Sequence, residues 1–379
     1  MQVFLLTVIL FLLFIFYNNS DFTFSGEEKV LEKIDVATSM LVPAKQNKLP
    51  YDFVFINVSK DLQLVKDEDG GDNVITDREK LTAFYKVLAE KNEHAFLISD
   101  IFFELPSEQD SLMAYEISRL RKAVFPNHYG DTGLLHSVIP VPSAVADYST
   151  NTKKFSKFRL IQHDSDKTIP VVVHETLQHV HYTYGFWGVH CNGKYCLQSI
   201  APRFFIRTYQ LKNMKEYPYF NLGELLILAN DSTFYDQFLK NRFIVLGNFD
   251  TDVHTTTIGR MPGSLILLNT YLSLLNGKHM VSPWWFVTMF ILFAIINFHL
   301  LFHTIRVPKL SKQKKWWQLF INDKLNGYIS NIFSIVGLCL LITVISDYVF
   351  KIKPHTFIIF MYIIIVQGFL KYYRVWKEE

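Results

Sequence analysis

Charged side chains are missing from long runs at both ends of this chain. That asymmetry limits its folds more than any other feature. Residues 1–20 carry none, nor do residues 279–305 or Leu325–Ser346. Across all 379 residues, 19% are charged and 50% hydrophobic, with a mean hydropathy of +0.15. An average soluble domain carries about 25% charged residues. The balance excludes a disordered chain, a small disulfide scaffold and a transporter made of spans alone. It predicts membrane segments joined to a water-soluble domain.

Val3–Tyr17 is almost wholly apolar. As a helix it reaches roughly 23 Å, short of a hydrocarbon core of about 30 Å. It reads as a signal peptide or a short anchor. No Lys or Arg precedes Lys29, and Tyr17-Asn18-Asn19-Ser20 is a poor cleavage site, which favours an uncleaved anchor. Pro283–Thr304, Leu325–Ser346 and the shorter His355–Leu370 read as three further spans. Trp284, Trp285, Tyr328, Tyr348, Tyr372, Tyr373 and Trp376 supply interfacial aromatics. Arg306, Lys309, Lys312, Lys314, Lys315 and Lys324 crowd one loop, which the positive-inside rule places in the cytoplasm together with the C-terminal tail. The expected organisation is an anchor over residues 1–17, an extracytoplasmic domain over 18–281 and a three-helix membrane module over 282–379. The module holds 11 basic and 4 acidic side chains, which accounts for the net +3 of the whole chain. The excess reports topology, and no basic, aromatic-interleaved groove suggests a nucleic-acid partner.

The outer segment is long enough to bury a core unaided. Asp52–Val58 alternates, setting Phe53, Phe55 and Asn57 against Val54, Ile56 and Val58. Gly70-Gly71 marks a turn. Thr76 and Glu79 form a capping box for a helix carrying Leu81, Phe84, Tyr85 and Leu88 at helical spacing. Ala95–Phe103 is a second strand. Ser107 caps a helix running to about Val124, and Leu134–Val141 is a third strand. Thr168-Ile169-Pro170 opens another helix. Asn192-Gly193 between Cys191 and Cys196 signals a hairpin. Asn221–Ala229 and Ser232–Lys240 read as helical, Phe243–Gly247 as a buried strand, and Gly263–Asn276 as a helix leading toward the membrane. Together they predict an α/β fold, with a largely parallel mixed sheet flanked by helices, plus four transmembrane helices.

Asn241–Gly277 (NRFIVLGNFDTDVHTTTIGRMPGSLILLNTYLSLLNG) resembles the C-terminal signature of the CHASE extracellular sensory domains of the second class. That signature joins a strand ending in Gly, an Asp-containing loop, a Thr, a Pro-Gly and a helix with Asn. Val54–Ser59 resembles the family's opening strand, with Asn57 where an Asp is usual. Leu97–Glu104 with Asp110 resembles its second strand and acidic site. The layout of one anchor, an outer domain and three spans is similar too. The resemblance implies sensing in the periplasm of a bacterium, from the inner membrane. Family members commonly continue into a cyclase or kinase. Here nine residues follow Leu370, so the expectation is a sensor-type protein without its own effector.

Ligands of open parallel sheets bind beyond the carboxyl ends of the strands. Asn57, Asp100, Asp250, Asp252, His254, Thr255, Thr256 and Arg260 are expected there and suit a small polar ligand or a divalent cation. The same residues also serve ordinary ends: Asp250 and Asp252 cap turns, and Thr255 and Thr256 satisfy backbone groups. His174, His179, His181, His190, Cys191 and Cys196 crowd into 23 residues. Their spacing matches no closed zinc site. Cys191–Cys196 is expected as a disulfide, with free thiols and a metal site as alternatives. No metal, cofactor or catalytic residue is assigned. A Gly-x-Ser-x-Gly elbow, an HExxH helix and a Walker loop are all missing from the sequence, so an enzyme is not expected. Two functions are carried forward. One is a sensor reading a ligand or envelope state and signalling through membrane partners or as a homodimer. The other is an accessory subunit of an envelope complex, its outer domain a docking surface.

Overall fold

The computed structural model describes residues 1–20, 22–24, 27, 49–66, 70–148, 154–163, 165–185, 188–212, 216–229, 232–302 and 337–378. Phe53–Asn57 and Phe243–Gly247 are buried at every position, as central parallel strands flanked on both faces must be. They pair in parallel, Phe53 beside Phe243 and Asn57 beside Gly247. Phe96–Ser99 continues the sheet on the far side of Phe243–Gly247, and Ala123–Gly130 follows it. Tyr219–Asn221 forms the other edge, parallel to Phe53–Asn57. Ser143–Val145 pairs in parallel with Ala123–Gly130, and Gly133–Leu135 folds back on it antiparallel. The expected α/β class and largely parallel sheet are present.

Side chains alternate across a strand, so the sheet sorts its residues by parity. Val54, Ile56, Leu97, Phe125, Ile244 and Leu246 bury against helices Arg78–Lys91, Asp110–Ser118, Leu222–Leu228 and Ser232–Phe238. Phe53, Phe55, Phe96, Ile98, Val124, Phe243 and Val245 pack with helices Ile169–Gln178 and Gly263–Leu275 on the other face. Phe243 is the centre of that second face, its ring 5.3 Å from Phe53, 5.8 Å from Phe96 and 5.6 Å from Tyr271. Burying each such side chain contributes about 1.5–3 kcal/mol. All but the last residue of Gly263–Leu275 are buried. Asn269 is among them: Oδ1 accepts from the Phe205 and Ile206 amides, and Nδ2 donates to the Ile206 and Leu265 carbonyls.

Several boundaries differ from expectation. Thr76 closes the strand Asp72–Thr76, paired with Leu62–Lys66, so Asp77 caps the next helix, accepting from the Lys80 amide. The helix after Ser107 is short, Asp110–Ser118, because Ala123–Gly130 leaves for the sheet. That segment is the third parallel strand, in place of Leu134–Val141. The strand expected over Ala95–Phe103 narrows to Phe96–Ser99. The Asn192-Gly193 turn forms as read, both residues at positive φ (48° and 76°).

The same apolar core continues into the terminal helices. Leu10 and Phe14 of Gln2–Asn19 and Trp285, Met289 and Phe293 of Pro283–Phe302 belong to it. Phe14 stacks on Trp285, and Trp285 Nε1 donates to Ser346 Oγ at 2.7 Å. Gln2–Asn19 and Pro283–Phe302 are long and apolar enough to cross a membrane; Gly337–Phe350 and Phe357–Leu370 are shorter apolar helical stretches. The loop carrying Arg306 to Lys324 and residues 325–336 of the expected third span lie outside the described residues. The helix from Gly263 does not run on into the next. It ends at Leu275, Gly277 takes φ 71°, and Pro283 starts the new helix.

Candidate functional site

The parity that sorts the core also sorts the polar strand ends. Asn57, Gly247 and Asp100 follow the odd or even series whose earlier members face helix Gly263–Leu275. Register sets them side by side: Asn57 pairs with Gly247, and the Asp100 amide donates to Leu246 O at 2.8 Å. Glycine at 247 is needed for space. A Cβ there would lie 2.9 Å from both Cβ and Oγ of Ser264 and 3.4 Å from Asp100 Cβ. The first turn of helix Gly263–Leu275 is thereby held against the carboxyl edge of the sheet.

Two polar groups form at this edge. In the first, Asn57 Nδ2 donates to Asp250 Oδ2 (2.9 Å), Ser59 Oγ (2.8 Å) and Asn221 Oδ1 (3.2 Å). Ser59 Oγ also donates to Asp250, and Asn57 Oδ1 accepts from the Phe249 amide at 3.1 Å. This network locks the loop after Phe243–Gly247 onto the first strand.

The second group gathers around Gly263. A methyl there would overlap Asp252 Oδ2 and touch Asp100 Oδ2 at 3.4 Å, so both carboxylates lie against the helix N-terminus. The Gly263 amide donates to Asp252 O, and no side chain caps this helix. Asp252 Oδ1 lies 2.8 Å from His254 Nε2, and the His254 ring meets Tyr148 edge-on at 5.2 Å. Alongside, His128 Nδ1 lies 2.7 Å from Asp147 Oδ1. Asp252 and His254 are about two-fifths exposed, at 43% and 41%, so solvent reaches the group. Two oxygens at its back have no hydrogen-bond partner: Ser264 Oγ, in a residue with no exposed surface, and the buried hydroxyl oxygen of Tyr148.

The electrostatics follow from this crowding. Burial, and then the Asp252 carboxylate, push the Asp100 carboxyl up to about 7, against the opposing pull of His128 and His254. Its edge keeps some solvent access, while its surroundings are densely packed. At His254 the hydrogen bond to Asp252 raises the imidazole above its ordinary value in spite of burial. At His128 burial opposes charge, but Asp147, Asp100 and Asp252 outweigh it. The Tyr148 hydroxyl is raised by burial and by Asp252, Asp100 and Asp147.

Of the residues expected here, Asp100, Asp252 and His254 come together, while Asn57 and Asp250 form the neighbouring lock. The other three are placed elsewhere. Thr255 and Arg260 are exposed, facing each other across the hairpin Val253–Thr256 and Gly259–Pro262. Thr256 is buried, its hydroxyl donating to Gly259 O inside the turn. His128, Asp147, Tyr148 and Ser264 were not foreseen. The alternation His128–Asp147 shares no sequence signal with the Asp252 loop; only the parity of a correctly placed Ala123–Gly130 strand would have pointed to His128.

The cysteine-histidine cluster divides. His179 and His181 lie on the outside. His174 turns inward, where Tyr182 Oη bridges His174 Nδ1 (2.9 Å) and His279 Nε2 (2.7 Å). Cys191 and Cys196 are buried free thiols, not the expected disulfide. Register explains why: Cys191 pairs with Lys194 and Cys196 with Val189, so the cysteines are diagonal neighbours. Diagonal pairs sit roughly 7–8 Å apart, beyond the usual span of a disulfide. Cys196 Sγ instead meets Met280 Sδ at 3.5 Å. Among the described residues, no three His, Cys, Asp or Glu side chains converge to hold a metal ion.

No protein family, curated protein or solved structure matches the chain.

Proposed function

We propose that the chain is a membrane-anchored sensor of the bacterial inner membrane, with residues 18–281 in the periplasm and the C-terminus in the cytoplasm. The Asp100–Asp252–His254 group receives the stimulus, and helix Gly263–Leu275 carries it to the terminal helices and to whatever adjoins them in the bilayer. One observation carries this reading: both carboxylates press on the first residue of a buried helix whose far end leads into Pro283–Phe302. The likeness of Asn241–Gly277 to second-class CHASE domains supports it, as does the placement of basic residues for topology. A change in charge at Gly263 would shift the balance between two packings of that helix. No group of the site has the arrangement of a nucleophile with its base, so the reading is recognition and transmission.

The test is a spin-label distance across the break between the helices. Labels at Asn276→Cys and Trp284→Cys in the full chain, reconstituted in nanodiscs, report the joint; the native cysteines are buried. Asp252→Asn should change the distance distribution, and Glu90→Gln on a remote helix should not. An identical distribution in wild type and Asp252→Asn would overturn transmission. Cytoplasmic accessibility of residues 18–281 in intact cells would overturn the topology.

A further inference from the structure

The Asp100–Asp252 corner contains an imbalance that its own residues leave uncorrected. Two carboxylates press on one glycine, and the Asp252 carboxylate raises the cost of ionising Asp100. The helix N-terminus offsets part of that charge. His254 serves Asp252, and His128 is taken up by Asp147. Behind them lie two oxygens with no partner, Ser264 Oγ and Tyr148 Oη. Buried hydroxyls are ordinarily hydrogen-bonded, because leaving one unpaired costs about 1–3 kcal/mol. Ser264 is the more telling. It has no exposed surface, and its Oγ points to the contact with Gly247 that adjoins Asp100. What the corner lacks is therefore positive charge together with N–H donors.

We propose that this corner binds a primary ammonium ion, held by Asp100 and Asp252 and donating to the hydroxyls of Ser264 and Tyr148. The inference rests on the sensor reading above and supplies its ligand class. A chelated divalent metal fits less well, since no three His, Cys, Asp or Glu ligands converge among the described residues. An ammonium needs no such set: its three N–H donors meet carboxylate and hydroxyl oxygens. An anion would meet Asp100, Asp147 and Asp252 together.

Ammonium and protons then compete for one place. The groups facing the corner are Asp100, Asp252, His254 and Ser264, with His128, Asp147 and Tyr148 from the adjoining strand and loop. As pH rises, Asp100 ionises and the imidazoles lose their charge, so the corner becomes more negative. A primary amine stays protonated throughout this range. Displacing one proton gives an affinity that rises about tenfold per pH unit below the carboxyl's titration point and levels above it.

The experiment titrates methylammonium chloride into the full chain in phosphatidylcholine nanodiscs at constant ionic strength. Tetramethylammonium and sodium chlorides are the controls. Binding is read by calorimetry, and folding of each variant by circular dichroism. Methylammonium should saturate one site and bind about fivefold tighter at pH 7 than at pH 6, because the carboxyl titrates at about 7. Asp252→Asn should weaken it at least tenfold and Ser264→Ala several-fold, with Glu90→Gln as wild type. Equal effects of methylammonium and tetramethylammonium would overturn the proposal, as would binding that survives in folded Asp252→Asn, or absence of saturable binding at pH 8. If methylammonium fails to bind while Asp252→Asn still changes the spin-label distance, the ligand class falls and the sensor reading stands. If binding holds while that distance is unmoved, the reverse follows.

Discussion

Replacing Asp100 by Asn should stabilise the protein at alkaline pH and do little at acid pH. An unfolded Asp titrates near 3.8, whereas the folded carboxyl is pushed up to about 7. Between these values the folded chain holds a proton that the unfolded chain has released. Stability therefore falls as pH rises through this window, and the loss is complete above about 7. Each pKa unit corresponds to 1.36 kcal/mol, which sets a ceiling of about 4 kcal/mol. Partial solvent access of the carboxyl lowers this to about 2 kcal/mol. Asn is isosteric and cannot ionise, so Asp100→Asn removes the penalty. For a domain of this size the gain corresponds to a midpoint about 4–8 °C higher at pH 8. The two variants should coincide at pH 4. The assay is thermal unfolding by circular dichroism in one detergent, from pH 4 to 8.5, scored as the difference between variant and wild type. A difference that does not grow with pH, or a variant less stable at pH 8, would show that Asp100 is not crowded by burial and Asp252 as described.

Other outcomes follow from single contacts. Gly247→Ala sets a methyl against Ser264 and should destabilise by about 1–3 kcal/mol, seen as a lower unfolding midpoint. Asn269→Ala strips partners from the amides of Phe205 and Ile206 and should cost about 2–4 kcal/mol; hydrogen exchange at those two amides should quicken. Burial lowers His174 to about 4 and His279 to about 3, so the unfolded chain binds more protons below 6.5. Stability from this pair is full above 6.5 and is lost as pH falls toward 4, and the acid limb of the unfolding profile should flatten in His279→Gln. Cys191 and Cys196 should react with maleimide only after denaturation, and a disulfide found between them in the native protein would contradict the hairpin register.

What the sequence revealed depended on how far each feature reaches along the chain. Phe53–Asn57, Phe243–Gly247 and the Asn192-Gly193 turn are encoded by their own residues, and they form where expected. Ala123–Gly130 was missed because Pro126 interrupts an apolar run that only its sheet neighbours stabilise. That Asp100, Asp252 and His254 come together was legible from their places at the ends of the strands and in the loop beyond. Ser264 was not, because its importance comes from what it fails to touch. Thr256 and Arg260 illustrate the opposite limit: adjacency to Asp252 in sequence placed them in the site, and the hairpin turned them away.

The break at Gly277 limits what can pass between the two halves. A rod transmits thrust along its axis; two rods joined by a bend do not. In the sensor proposed above, displacement of helix Gly263–Leu275 would reach Pro283–Phe302 through the shared core that includes Trp285 and Phe14, not along one continuous rod. If the chain signals as proposed, the volume of residue 285 should tune the response without any change at the carboxylates.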